Sequence, residues 1–157
     1  MFWKETGGES GAQGGEANRL AQQAIVASGV VPGLLAYLDG VPAGWIAVEP
    51  RDRYPRLARS RILKPLDDTP VWSVTCFFVD RKYRGQGLTV ALLKAAVEHV
   101  ARQGGKVVEG YPTEPRQPGK APPVFVYTGL VSAFLQAGFT EAGRRSPTRP
   151  IMRFYIP

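Results

Sequence analysis

Apolar residues in the first half of this chain form one segment with helical spacing and three runs typical of strands. They recur at three- and four-residue spacing between positions 16 and 29, which predicts an amphipathic helix. Two apolar runs then flank Asp39-Gly40, a pair that favours a tight turn, so a hairpin with strands near 34–38 and 43–49 is expected. The β-branched and aromatic run that follows, at 71–79, is apolar on both faces at its C-terminal end and is typical of a central strand.

The second half alternates helices and strands. Apolar residues after a glycine turn at 85–87 predict a helix that ends at Gly104-Gly105. The short segment 106–112 then predicts a strand parallel to 71–79, which completes a βαβ unit. Further along we expect a proline-rich loop (113–123), a second helix (127–138) and two final strands around a basic turn (144–149). The fold class is mixed α/β, in one domain over 1–157 whose residues 1–15 are glycine-rich and predicted to be flexible.

Composition narrows the class of protein. The net charge of +7 favours polyanionic partners, either nucleic acid or a phosphorylated cofactor. The densest basic stretch, 51–64, has six Lys/Arg against one Asp; we interpret it as a solvated loop or short helix, with an acidic-ligand site or a nucleic-acid contact as alternatives. One Cys and one His exclude an internal disulfide and disfavour a zinc site. No apolar run is long enough to span a bilayer and no signal-peptide pattern is present, so a metal-free, cytoplasmic protein is expected.

The glycine turn carries the most specific chemistry. It lacks the Lys-Ser/Thr pair of a Walker A loop, and Val90 stands where a dinucleotide fingerprint has its third glycine. Two interpretations remain, and the residues alone do not separate them. The backbone N–H groups from Gly85 to Thr89 could bind a pyrophosphate at a helix N-terminus, with help from Arg84. Alternatively, the glycines only supply the positive φ of a tight turn.

The segment Arg84-Gly-Gln-Gly-Leu-Thr89 resembles the acyl-CoA-binding motif of the GNAT superfamily of N-acetyltransferases, which reads Arg or Gln, two residues, Gly, one residue, then Gly or Ala. Thr89 departs from the last position. The resemblance covers roughly residues 30–157. It implies a GNAT-like mixed sheet, acetyl-CoA as co-substrate, and a small-molecule or peptide amine as acceptor.

The resemblance also assigns residues to the cofactor. In the superfamily, the strand before the motif exposes backbone groups that pair with the pantetheine amides, which implies roles for Phe77, Phe78 and Val79. A backbone N–H of Phe78 or Val79 would polarise the thioester carbonyl. The implied pyrophosphate cradle comprises Arg84, Gly85, Gln86, Gly87, Leu88 and Thr89.

Proton transfer is less closely specified. Glu109, at the end of the second parallel strand, is the first candidate for the general base, against the alternative that it is a salt-bridged acid; Glu49 is the second. The family often has a Tyr in its last helix as general acid, but Phe134 stands at that position here and is expected to line the cofactor pocket. Tyr127 could supply the hydroxyl, Ser132 less well, and a thiolate can also leave without an acid.

Two further expectations follow. The family usually opens with a strand before the hairpin; here either that strand is absent or the sequence starts downstream of it. The hairpin strand is therefore predicted to form an exposed edge that invites self-association as a homodimer or lowers stability. The predicted function is acetyl-CoA-dependent N-acetylation of a primary amine. The alternatives are an acyl-CoA-binding module with little catalysis and, less favoured, a basic nucleic-acid-binding protein.

Overall fold

The computed structural model describes residues 15–115 and 127–157, in which helices and strands alternate along the chain. The helices are α1 (Gly15–Ala27), α2 (Pro55–Arg59), α3 (Leu88–Arg102) and α4 (Val131–Gln136). The strands are β1 (Gly33–Leu38), β2 (Val41–Pro50), β3 (Trp72–Val79), β4 (Val107–Gly110), β5 (Thr140–Arg144) and β6 (Pro150–Tyr155). Single 3-10 turns occupy Arg51–Arg53 and Arg81–Tyr83.

The β1–β2 hairpin forms where the sequence predicts it. Its two turn residues, Asp39 and Gly40, have φ values of 49° and 77°, the left-handed conformation that a two-residue type I′ turn requires at both positions. Leu38 therefore pairs directly with Val41. The strand before the glycine turn, the helix after it, the next strand and the two final strands are also confirmed.

All six strands join one mixed sheet in the order β1-β2-β3-β4-β6-β5. Only β3 and β4 run parallel, and α3 connects them as the predicted βαβ unit. In the described residues β1 pairs only with β2, so its outer edge is open, while self-association through that edge stays a prediction.

The two faces of the sheet are covered differently. On one face α3 and α4 pack over Ile46, Val74 and Val108, all fully buried in the main hydrophobic core. On the other face, residues 51–66 fold back over the sheet and bury a second apolar cluster. Its members are Tyr54, Leu57, Leu63, Tyr111 and Ile151. This second layer lies over β4 and β6 and reaches β2 and β3, where Tyr54 lies beside Glu49 and Thr75. It leaves part of the β1–β3 half exposed.

Three sequence expectations are wrong in detail. The last helix begins at Val131 rather than near 127, because Gly129 has a φ of 85° and Leu130 is extended. The basic stretch 51–64 contains the predicted short helix but is not wholly solvated, since the Arg51 side chain is only 14% exposed and belongs to an ion-pair network. His99 does not face solvent but is buried edge-on against Trp72, with ring centroids 5.9 Å apart.

Nearly all of the predicted flexible segment 1–15 and most of the proline-rich loop 113–123 lie outside the described residues. None of the helices that are described is both long and apolar enough to cross a membrane.

Candidate functional site

The two parallel strands separate in the middle of the sheet. β3 and β4 pair only from Trp72–Val108 to Val74–Gly110, and beyond that point the chain segment 127–130 lies between them. The Phe77 N–H donates to the Tyr127 carbonyl at 2.6 Å, and the Thr113 N–H donates to the Gly129 carbonyl at 2.9 Å. The last residues of β3 therefore have no strand partner on their β4 side and border an open cleft.

The Phe134 ring fills the space beneath the point where β3 and β4 separate. The ring is fully buried and packs edge-on against Phe77 and Phe139, with centroids 6.1 and 5.0 Å apart. Gly110 and Gly129 flank the ring, and a Cβ on either glycine would overlap with it. Phe134 thus lies under the cleft rather than on its wall, where the sequence analysis expected it.

The glycine turn forms one end of the cleft. Gly85 and Gly87 have φ values of 78° and 77°, so both need glycine's freedom in the left-handed region. Gly87 is the N-cap of α3 and provides no side-chain cap, which leaves the first-turn N–H groups of this 15-residue helix to an external acceptor. Apart from the chain neighbours, no atom of the described residues 15–115 and 127–157 lies within 4 Å of a Cβ built at either glycine. The turn therefore offers open space in front of a row of N–H donors and a positive helix end.

Arg84 and Val79 connect this turn to β3. The Arg84 Nε donates to the Val79 carbonyl at 3.1 Å, which shows that the Val79 backbone faces the cleft. Backbone direction alternates along a strand, so the N–H groups of Phe77 and Val79 point to the cleft side while that of Phe78 points to β2. The Asp80 N–H, which donates to the β2 carbonyl of Ala43 at 2.9 Å, fits this alternation.

The cleft has a volume of about 630 Å³, within the range of small-molecule and cofactor sites. Its wall contains most of the residues expected to contact the cofactor, and also Tyr127. Three predicted site residues, Gln86, Phe134 and Glu109, do not line it. The lining residues that the sequence analysis predicted are Phe77, Phe78, Val79, Arg84, Gly85, Gly87, Leu88, Thr89 and Tyr127. Those it missed or ranked low are Tyr83, Val90, Gly129, Leu130, Ser132, Ala133 and Gln136.

Three of the residues that the sequence analysis missed or ranked low, all on α4, are related by their helical spacing. Ser132, Ala133 and Gln136 lie on one side of α4 at helical spacing, and they face the cleft because the turn at Gly129 brings the start of α4 up to β3. Only the fold relates that face of α4 to the glycine turn.

Glu109 lies in a closed ion-pair network on the opposite face of the sheet. It is 1% exposed, and one carboxylate oxygen accepts from Arg51 and from the Tyr111 hydroxyl, both at 2.8 Å. The other oxygen accepts from the Arg153 Nε at 2.7 Å. Arg153 also binds Asp67 through both terminal nitrogens, and this holds the pKa of the Asp67 carboxyl well below its usual range. The arrangement matches the structural alternative for Glu109 and does not favour a role as general base.

The second candidate base is also enclosed. Glu49 is 3% exposed and lies beside the Tyr54 hydroxyl. Burial, and to a smaller extent the neighbouring Glu49 charge, raise the pKa of Tyr54 far above its ordinary value. Among the described residues, no group of three or more His, Cys, Asp or Glu side chains could hold a metal ion.

Comparison with solved structures finds proteins of the same fold. A GNAT-family protein from Desulfovibrio desulfuricans superposes with a TM-score of 0.57 at 19% identity, over 94% of this chain and 86% of the other. The Salmonella typhimurium protein yncA, solved with its cofactor acetyl-CoA, superposes with a TM-score of 0.55 at 17% identity, over 89% and 73% of the two chains. The ribosomal-protein-alanine N-acetyltransferase of Brucella melitensis gives 0.55 at 16% identity, over 90% and 78%. These identities establish a shared fold only.

Comparison with curated proteins found no match. The sequence profile of the acetyltransferase (GNAT) family, however, matches residues 6–118, which include the hairpin, β3, the glycine turn, α3 and β4. This is well over half of the chain. The chain therefore belongs to the acetyltransferase (GNAT) family.

Proposed function

We propose that this protein transfers an acetyl group from acetyl-CoA to a primary amine. The observation that carries the proposal is the cleft between β3 and α4, because it ends at an uncapped helix N-terminus with two left-handed glycines. The free N–H groups, the open space above Gly85 and Gly87 and the adjacent Arg84 guanidinium fit the diphosphate of CoA.

The far wall of the cleft would receive the rest of the cofactor. The Phe77 N–H is already bonded to Tyr127, and the Phe78 N–H is directed at β2, which leaves Val79 as the candidate backbone donor. Acetyl-CoA supplies an activated acetyl thioester when it is bound. A backbone N–H held at Val79 stabilises negative charge that develops on a carbonyl oxygen placed against it. The main task of the remaining wall residues is to align the two reactants.

The cleft differs from an active site that has its own general base to remove the proton of the acceptor amine. Of the cleft-lining residues that the structure describes, none carries a carboxylate or an imidazole. We therefore assign the loss of the acceptor's proton to solvent, with no protein group titrating near neutral pH. The ratio kcat/KM should then rise with pH in step with the free-amine fraction of the acceptor.

Tyr127 is the proposed proton donor to the departing thiolate, since it lines the cleft and Phe134 cannot take that role. Tyr127→Phe should lower kcat and leave the affinity for CoA unchanged. Tyr155→Phe is the matched control, because Tyr155 is exposed on β6 and lies outside the cleft.

Thiol release from acetyl-CoA, measured across a panel of primary amines and from pH 6 to 10, tests the proposal. We expect amine-dependent release with the pH dependence given above. Tight CoA binding with no thiol release on any amine would replace the proposal with an acyl-CoA-binding module. Failure to bind CoA at all would refute both.

A further inference from the structure

Three apolar side chains form a row across the first three strands. Leu35 on β1 pairs directly with Trp45 on β2, and Trp45 pairs directly with Phe78 on β3. Direct cross-strand partners on one face lie about 5 Å apart, so the row is continuous over roughly 10 Å. We call Leu35, Trp45 and Phe78 the apolar row.

The apolar row faces away from the main core. Its sequence neighbours Ile46 and Phe77 point into the core beneath α3, so strand alternation places the row on the opposite face of the sheet. Leu35 is 53% exposed and Phe78 is 58% exposed, values unusual for large apolar side chains in the middle of strands.

Trp45 gives the row a defined surface. A Cβ on Gly33 would lie 2.7 and 2.8 Å from two atoms of the Trp45 six-membered ring, so the indole lies against the bare backbone of Gly33. Glycine at this position leaves room for the ring against the sheet, and Trp45 is partly exposed. An aromatic ring held in this way is a stacking platform for a planar or apolar group.

The row is continuous with the cleft. Phe78 both ends the row and lines the cleft, directly next to Val79. Between Gly33 and Val48 the only charged residue is Asp39, at the hairpin tip. The two hairpin strands that carry Leu35 and Trp45 therefore add no charged side chain to the row. The row's span of roughly 10 Å is comparable with one aromatic ring on a short linker.

We propose that the apolar row is the acceptor-binding surface and that the acceptor is an amine that carries an aromatic group on a short alkyl linker. This inference rests on the proposed function, since it places the reactive amine beside the cleft. Contact with the row then orients the amine and selects against small polar amines and against amines with further charges.

Binding of two probe amines to the CoA-saturated protein tests the inference. Isothermal calorimetry would compare 2-phenylethylamine with ethylamine, which has a similar ammonium group and no ring. We expect 2-phenylethylamine to bind at least about tenfold more tightly. Leu35→Ser should reduce this preference about threefold or more and leave the CoA affinity unchanged, because Leu35 lies two strands away from the cleft.

Leu20→Ser is the matched control, since Leu20 is 52% exposed on α1 and does not belong to the row. Equal binding of the two amines would overturn the inference, as would a preference that Leu35→Ser leaves intact. A wild-type dimer in sedimentation that Leu35→Ser converts to a monomer would also overturn it, because the row would then be a contact between two copies. Loss of CoA binding in the wild type would instead mark failure of the proposed function.

Discussion

Replacement of Glu109 by Gln separates a structural role from a catalytic one. The substitution keeps the shape of the side chain and removes its charge, while the Arg51 and Arg153 side chains stay 14% and 4% exposed. Breaking one partner of a buried ion pair leaves uncompensated charge and typically costs about 3–5 kcal/mol. Against a total stability of about 5–15 kcal/mol, such a loss is large.

Urea denaturation at pH 7.5 measures this effect. With a slope of about 2 kcal/mol per molar urea, the midpoint should fall by roughly 2 M. Glu141→Gln is the control, because Glu141 is also paired with an arginine, Arg144, but both side chains are at least 30% exposed. The control should lose about 0–1 kcal/mol. The reasoning is refuted if Glu109→Gln is as stable as the control but has lost turnover, the result expected of a general base.

Two further substitutions test the helix that forms the cradle. Gly87→Ala and Gly104→Ala each force alanine into a left-handed conformation, with φ near 77° and 79°. Each should cost about 1–2 kcal/mol in unfolding free energy. Only Gly87→Ala should also weaken CoA binding in calorimetry, since its Cβ enters the proposed cradle. Burial lowers the pKa of His99 from its ordinary value of 6.5, so below pH 6.5 the unfolded chain takes up a proton that the folded protein resists, and stability should fall as the pH drops from 7.5 to 5.5. His99→Phe should flatten this dependence in urea midpoints measured at the two pH values, and an unchanged slope would contradict the assignment to His99.

Elements that depend on local patterns were predictable from the sequence. The hairpin at Asp39-Gly40, the strand at 72–79 and the helix after the glycine turn each follow from residues within a few positions of one another. The conformation of the glycine turn belongs to this group too, because positive φ at Gly87 and a helix start without a side-chain cap are local properties.

The parts that escaped prediction depend on contacts between distant segments. Glu109 receives its two arginine partners from 58 positions upstream and 44 positions downstream, and no periodicity in the sequence relates them. Arg51 was grouped with its basic neighbours for the same reason. Phe134 fills a gap bounded by Gly110 and Gly129, where a side chain would overlap with its ring. The sequence does not show that these two glycines lie next to Phe134, because the three residues meet only where β3 and β4 separate.

The most direct test of the account is a calorimetric comparison of CoA with pantetheine, which lacks the diphosphate and adenosine. If the α3 N-terminus and Arg84 bind the diphosphate, CoA should bind at least about 100-fold more tightly than pantetheine, and Arg84→Glu should remove most of that difference. Arg61→Glu, an exposed change of the same charge outside the cleft, should leave it intact. Equal affinities for CoA and pantetheine, or equal effects of the two arginine variants, would contradict the central claim that this glycine turn is the cofactor's anion cradle.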